Sequence, residues 1–232
     1  MPDGESEVRA IILFGPPGSG KGTQAKLIRD ALSVAHISTG DMLRERMKTE
    51  DELGLELRRS LGAGQYACDE LVNRMVQERI QDGDCANGFI LDGYPRTLSQ
   101  ARTIGQTLEA QGIGRVVIHL RVDYNRIIAR LAGRRHCAQC GAVYHLTARP
   151  PQQSGRCDAC QAELAIRDDD RESVVRRRLD VYDAQTKPLL EYFSGDGSAF
   201  YEIDGATAPP PAIAGQICEL VRNGRAVGVA RS

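Results

Sequence analysis

At 232 residues, 41% of them hydrophobic, the chain is long enough for one full α/β domain with small insertions. Lys and Arg total 30 against 31 Asp and Glu, so no bulk field favours nucleic acid or a membrane surface. No apolar run approaches the ~20 residues of a membrane helix, and the acidic start lacks signal-peptide chemistry, so a cytoplasmic protein is expected.

Residues 1–7 read as a disordered extension. Residues 9–14 (RAIILF) form a short apolar run that stops at Gly-Pro-Pro-Gly, the mark of a buried strand. A helix is predicted over 21–31, then a short strand over 36–38, with Ser-Thr-Gly-Asp as turn and N-cap. Helical patterns fill 41–61 and 69–81. Residues 88–92 (GFILD) read as a second buried strand, and 97–111 as another helix. Residues 115–122 (RVVIHLRV) are a further strand, after which Asp123 caps a helix to 131. One long helix is predicted over 171–193, a last strand over 199–203 and a last helix over 212–222. Strands alternating with helices imply a parallel sheet covered on both faces. The alternation breaks once, over 133–170, in a stretch rich in Cys, Pro, Gly and Gln that reads as an insertion with its own stabilising device.

The string GPPGSGK at 15–21 follows an apolar strand and opens a helix, the context a phosphate-binding P-loop requires. Glycines let backbone N–H groups turn inward around phosphate oxygens, and the helix N-terminus adds positive potential. Gly18, Ser19, Gly20, Lys21, Gly22 and Thr23 are therefore the candidate nucleotide-phosphate residues. Lys21 would reach the outer phosphates as a point charge. The usual pattern has Ser or Thr directly after the Lys. Here Gly22 intervenes and the hydroxyl is Thr23, so the loop is a variant.

Seven cysteines are unevenly spread. Cys68, Cys85 and Cys218 are isolated, whereas Cys137, Cys140, Cys157 and Cys160 form two Cys-x-x-Cys pairs at the spacing of a four-thiolate structural zinc site. Such a closed shell leaves no position for water, so this metal would not be catalytic. Two disulfides, an iron site and a metal-free insertion are the competing readings. His136 and His145 lie nearby but are not needed as ligands. An insertion of fewer than about forty residues buries little core, so a metal would supply the stability it lacks.

A phosphate monoester acceptor is largely anionic near neutral pH and needs no general base. It needs two anions neutralised as they meet, and arginine does this best. The chain offers many arginines around its motifs, and no His/Asp pair that would deprotonate a hydroxyl acceptor is evident.

Three further strings narrow the reading: HISTGDMLR at 36–44, GFILDGYPR at 88–96, and GRR at 133–135 followed by RDDD at 167–170. Together with GPPGSGKGTQA, from about residue 9 to about 220, the chain resembles an adenylate kinase of the long type whose lid carries a zinc knuckle. The resemblance implies a P-loop nucleoside-monophosphate-kinase-like α/β fold with a parallel five-stranded sheet. Residues 1–37, 68–132 and 171–232 would form the core, 38–67 a helical monophosphate-binding insertion and 133–170 the lid. It implies reversible Mg²⁺-dependent transfer of the γ-phosphoryl group of ATP to AMP, giving two ADP, in a monomer with one structural Zn²⁺.

By the same resemblance Lys21, Arg44, Arg96, Arg134, Arg167 and Arg178 carry the transfer. Arg130, Arg134, Val143 and Tyr144 join the P-loop around ATP. Thr39, Arg44, Gln65, Tyr66, Ala67, Gly93, Arg96, Gln100, Arg167 and Arg178 surround AMP. Asp92 helps hold Mg²⁺ through its water shell, Asp169 and Asp170 position lid arginines, and Arg176 and Arg177 are solvated surface. A Gln amide can donate to one adenine edge atom and accept from another, which favours AMP. At 64–69 (GQYACD) the chain departs from the family, which more often shows Lys, an aliphatic pair and a hydroxyl or Pro; AMP affinity is the property this touches.

Rival readings are a UMP or CMP kinase on the same fold, a P-loop ATPase, and a nucleic-acid-binding zinc module. Asp92 is followed by Gly-Tyr-Pro-Arg rather than an acid that orients water, which weakens the second. Charge balance and the lack of an aromatic-basic stripe count against the third.

Overall fold

A computed structural model describes residues 8–223; the extension 1–7 therefore lies outside the described residues. Five strands form one parallel sheet: β1 (Val8–Phe14), β2 (Ala35–Ser38), β3 (Phe89–Asp92), β4 (Gly114–Arg121) and, after three short lid strands, β8 (Ala199–Asp204). Their order is β2-β3-β1-β4-β8. The chain travels outward from β1 to β2 and returns through β3. It then crosses to the other side of β1 for β4 and β8, so the direction of travel reverses beside β1. Open α/β sheets bind ligands at the carboxyl ends of the strands at such a point.

Because both faces are covered, strand residues on both sides are apolar. Ile11 and Leu13 pack on one face with Ile28, Val116, Ile118 and Ile217. Ala10, Ile12 and Phe14 pack on the other with Phe89, Leu91, Ile104 and Phe193. Helix α1 (Lys21–Leu32) follows the P-loop, and α9 (Pro210–Asn223) lies beside it. Helices α4 (Asp69–Arg79), α5 (Leu98–Ala110) and α8 (Leu189–Gly195) lie on the other face, with residues of each in or against its core.

Two predicted helices are corrected. The helical pattern over 41–61 is two helices, α2 (Thr39–Arg46) and α3 (Glu52–Gly62). Asp51 ends the continuity: its carboxylate accepts from the Gly54 N–H at 2.9 Å and caps α3. Gly54 itself is required, because a Cβ there would lie 2.3 Å from the Thr49 carbonyl oxygen. The long helix over 171–193 is α7 (Glu172–Val181), then a widened π-helical turn over Tyr182–Thr186, then α8. Pro188 explains the break. It has no N–H to donate and its ring crowds the carbonyl four residues back, so the turn before it opens and Lys187 N–H reaches Tyr182 O at 2.9 Å.

The insertion after α6 (Tyr124–Ala132) is a small antiparallel sheet, β5 (Arg134–Cys137), β6 (Val143–His145) and β7 (Leu164–Ala165), ordered β6-β5-β7. Its core is separate and minute: Cys137, Tyr144, Cys157 and Leu164. No helix among the described residues is long and apolar enough to cross a membrane.

Ile12 is fully buried in the central strand. Ile12→Ala should lower the unfolding free energy in a urea titration by about 2–5 kcal/mol, with the slope unchanged. A loss well under ~1 kcal/mol would show that the strand is not packed on both sides as described.

Candidate phosphoryl-transfer site

The P-loop leaves the end of β1 and turns back on itself, with Ser19 N–H on Pro16 O at 3.1 Å. Gly20 holds φ 101°, a left-handed conformation, and a Cβ there would meet nothing within 4 Å. The glycine is therefore needed for the turn and leaves open space where an anion would approach the first N–H groups of α1. Lys21 Nζ donates to Gly15 O at 2.8 Å and Pro16 O at 3.0 Å. Desolvation lowers the Lys21 pKa from 10.5 to about 7; Asp92 opposes the shift, while Arg96, Arg178 and Arg134 add to it.

The strand ends opposite supply the other wall. Asp92 closes β3, is buried, and pairs through Oδ2 with His36 Nε2 at 3.1 Å. A Cβ on Gly22 would lie 3.3 Å from the same oxygen, so this carboxylate faces the start of α1. The Thr39 hydroxyl is also buried and lies 3.0 Å from Gly93 O. Arg96 Nε donates to Gly93 O at 2.7 Å, and its guanidinium lies 5.0 Å from the centre of the Tyr66 ring.

The lid and α7 add three arginines, each set by a local partner or by burial. Arg134 opens β5 and forks onto the buried Asp170, with Nε donating to Oδ2 at 2.7 Å. Arg178 donates to Asp169 Oδ2 at 2.7 Å and to the Asp169 carbonyl at 3.1 Å. Asp169 thus serves Arg178 on α7, while Asp170 serves the lid arginine. Burial opposes the charge of Asp169, yet Arg178 and then Arg134 hold its pKa below the ordinary value. Arg167 has a buried Nε with no hydrogen-bond partner among the described residues. Burial lowers its pKa first, and Arg44 and Arg134 lower it further. Arg44 bonds Asp41 at 2.5 Å and keeps 41% of its side chain exposed. Mutual repulsion thus links Lys21, Arg44, Arg96, Arg134, Arg167 and Arg178 into one group, opposed by Asp41, Asp92, Asp169 and Asp170. Arg176 and Arg177 lie outside it: the first pairs with Glu172, and both are exposed.

Two adjoining clefts meet here. One is lined by the P-loop, Lys21, Arg96, Arg178 and Thr186. The other has apolar walls, Leu43, Ala67 and Val72, with Thr39 and Gln100 as polar groups. Tyr66, Gly93 and Arg96 line both. Gln100 is fixed before any ligand arrives: Oε1 accepts from Arg96 N–H at 2.7 Å and Nε2 donates to Asp69 at 2.7 Å. One lone pair and one proton of the amide remain.

Several anticipated residues sit differently. Gln65 is exposed and lines neither cleft. Tyr144 turns into the cysteine cluster, where its hydroxyl is 3.5 Å from Cys157 Sγ and accepts from Asp158 N–H at 2.8 Å. Its side chain serves the knuckle, so only its backbone and the neighbouring half-buried Val143 are left to face a nucleotide. Arg130 donates to Gly205 O at 3.0 Å. Gly205 itself packs against the P-loop at Ser19. Asp69, His36 and Thr186 escaped the sequence reading. Asp69 had a weak signal, as an acid in the first turn of a helix three residues ahead of an apolar stripe, but Thr186 had none.

The four lid sulfurs, of Cys137, Cys140, Cys157 and Cys160, all lie within 4.8 Å of one another. The nearest approaches, Cys137–Cys160 at 3.4 Å and Cys140–Cys157 at 3.5 Å, are far beyond a ~2.05 Å disulfide bond. They sit near the edge of about 3.8 Å expected of four sulfurs around Zn²⁺ at ~2.3 Å. Backbone N–H groups of Cys140 and Gln139 lower the Cys137 pKa. The Tyr144 hydroxyl, with the N–H groups of Cys160 and Ala159, lowers that of Cys157 to about 6. Hydrogen bonds with neighbouring sulfurs raise the other two, Cys140 and Cys160, so the cluster keeps protons that an incoming metal would displace, and the four converging sulfurs fit one tetrahedral ion.

So much fixed positive charge beside a glycine loop has its use in phosphate chemistry, and the fold that carries it is that of the P-loop nucleoside monophosphate kinases. The family model for adenylate kinase matches residues 13–198. An adenylate kinase of Desulforudis audaxviator (strain MP104C) is 47% identical over 196 residues, 84% of this chain and 91% of that protein. Those of Caldicellulosiruptor bescii and Moorella thermoacetica are each 46% identical, over 81% and 88% of this chain and 87% and 94% of their own lengths. The chain belongs to the adenylate kinase family of phosphotransferases, and its four-cysteine knuckle fits the long form.

Two outcomes are expected. Lys21 loses its proton as pH rises through about 7 in the free protein, far below an exposed lysine, and a bound polyphosphate reverses that shift. At pH 8, ATP binding should therefore take up about one proton, read by titration calorimetry in buffers of different ionisation enthalpy. No uptake would mean that Lys21 is charged before binding. Metal analysis should find about one zinc per chain, lost in Cys157→Ser together with several degrees of melting temperature. Unchanged melting in that variant would remove the structural role.

Proposed function

We propose that the chain catalyses reversible γ-phosphoryl transfer from MgATP to AMP, giving two ADP, and so maintains adenine nucleotide balance. The observation that carries this is one group of six cationic side chains between a P-loop and an apolar cleft holding Gln100. ATP would lie with its phosphates on Gly18, Ser19, Gly20, Lys21, Gly22 and Thr23, with Arg130 and the Val143–Tyr144 backbone near its far end. AMP would occupy the second cleft, its base against Thr39, Tyr66, Ala67 and Gln100 and its phosphate on Arg44 and Arg96.

Transfer then needs only alignment and charge. Arg134 and Arg167 at the lid boundary, with Arg178 from α7, would neutralise the three equatorial oxygens of the γ-phosphoryl group as its phosphorus leaves the β–γ bridging oxygen, which stays on ADP, and bonds an oxygen of the AMP phosphate. No protein group has to remove a proton, because the acceptor is already an oxyanion. The unpartnered Nε of Arg167 supports this role: a buried donor costs stability unless something arrives to accept from it. Asp92 is suited to hold Mg²⁺ through its water, since that ion keeps its hydration shell and takes few protein carboxylates. When bound it would offset charge on the terminal phosphate oxygens.

In this reading residues 38–67 form the monophosphate insertion and 133–170 a zinc-stiffened lid. The lid would exclude the water that would otherwise take the phosphoryl group. A monomer working in the cytoplasm accords with the family resemblance and the balanced charge.

A coupled assay with MgATP against AMP, UMP, CMP and GMP tests the proposal. AMP should be preferred by at least about tenfold in kcat/KM, and Lys21→Ala should remove activity while leaving the melting curve in place. Preference for UMP or CMP would transfer the same mechanism to a pyrimidine kinase and overturn the adenine reading of Gln100. Absence of transfer to all four would overturn the proposal.

A further inference from the structure

The widened turn between α7 and α8 carries a contact that no motif marks. Thr186 is buried at 2% exposure, and its hydroxyl donates to the Arg96 carbonyl at 2.8 Å. The same oxygen lies 2.8 Å from the Tyr66 hydroxyl. A threonine has one proton and a carbonyl can only accept, so Tyr66 is the donor in the second bond. The Tyr66 ring in turn supports the Arg96 guanidinium at 5.0 Å. One buried hydroxyl therefore fixes both the backbone of Arg96 and the ring on which its charged group rests.

The turn is held in register from its other end. Tyr182 is buried and its hydroxyl lies 2.9 Å from His119 Nε2 on β4, while His119 Nδ1 lies 2.8 Å from Glu202 on β8. The extra residue that Pro188 forces into the helix sets where Thr186 points. A regular helix would rotate that side chain by roughly 100° and separate it from Arg96. Tyr66 and Arg96 also stand where the two clefts meet.

We propose that Thr186 is a positioning residue for the acceptor clamp: through Tyr66 and the Arg96 carbonyl it holds the Arg96 guanidinium toward the phosphate of the monophosphate. The inference rests on the proposed function, in which Arg96 binds that phosphate.

Steady-state kinetics of Thr186→Val, Thr186→Ser and Tyr66→Phe test it, with AMP or whichever monophosphate the wild type takes. Thr186→Val keeps the shape and removes both bonds. The acceptor kcat/KM should fall about tenfold, with KM for ATP within about twofold of wild type. Thr186→Ser should restore most of the loss. Tyr66→Phe should lower the same constant about threefold, and adding it to Thr186→Val should cost little more, because both remove one shared bond. Parallel changes in the ATP and acceptor constants with a lowered melting temperature would mark a merely structural threonine and overturn the inference. Should Thr186→Val fail to fold, Tyr66→Phe decides, since it keeps the ring and strips no backbone carbonyl; a wild-type acceptor constant there overturns the inference. An active wild type with unaltered variants overturns this inference alone. A wild type inert toward every monophosphate overturns it together with the proposed function.

Discussion

Like charges held close together are the constraint on which the rest of the structure depends. Burial first, and then Arg96, Arg178 and Arg134, weaken the proton affinity of Lys21, and burial followed by Arg44 and Arg134 does the same for Arg167. Without anions the arrangement is unfavourable, and the fold restrains it by fixing four of the arginines to something near. Asp170 holds Arg134, Asp169 holds Arg178, Gly93 O and Tyr66 hold Arg96, and Asp41 holds Arg44. The carboxylates are too few to neutralise the site, so net positive charge is left for a ligand. That surplus is what a phosphate chain meeting a phosphate monoester requires, because the pair brings far more negative charge than any one carboxylate could balance.

The lid shows the same logic at a smaller scale. Its core is four buried side chains, two of them cysteines, which is too little apolar surface to order some forty residues unaided. Tyr144 is spent on that core, with its hydroxyl on Cys157 and Asp158, rather than on the face where sequence comparison of motifs would put it. Turning a large aromatic inward makes the knuckle tighter and leaves the nucleotide side to backbone and to the smaller Val143. Arg134 sits at the first residue of β5, three residues before the first cysteine, so a rigid knuckle fixes the direction from which that arginine reaches Asp170.

Much of this was legible in the chain because the signals were local. The three central strands, β1, β3 and β4, are largely apolar runs that stop at or close to Gly or Asp, and the P-loop announces itself by glycines between a strand and a helix. The cysteine spacing pointed to one four-sulfur cluster. What escaped depends on contacts between distant residues. The division of 41–61 into α2 and α3 turns on Asp51 meeting Gly54, a cap hidden inside a continuous helical pattern. The opening of the turn before Pro188 leaves Thr186 aimed at Arg96, ninety residues earlier. Neither periodicity nor motif spacing carries such information. The exposure of Gln65 was hidden for a related reason: it adjoins two cleft-lining residues in sequence, Tyr66 and Ala67, yet its own side chain faces solvent.

Gln100 shows how such distant contacts refine a reading that the sequence supports only in outline. A free glutamine amide can flip, offering donor and acceptor in either order, and so discriminates poorly between bases with opposite patterns. Here it cannot flip. The Arg96 N–H can only donate and the Asp69 carboxylate can only accept, so Oε1 must face the first and Nε2 the second. The remaining lone pair and proton, on a residue that lines the cleft, are thereby left in one fixed order. Under the proposed function, a base with the reverse order would leave two polar groups unpaired in an apolar pocket, a penalty that rejects it more effectively than added attraction favours the right one. Asp69 therefore fixes the amide without lining the cleft, and its carboxylate also accepts from Thr97, the residue that caps α5 by bonding Gln100 N–H. The orientation of the Gln100 amide is in this way tied to the start of the helix that carries it.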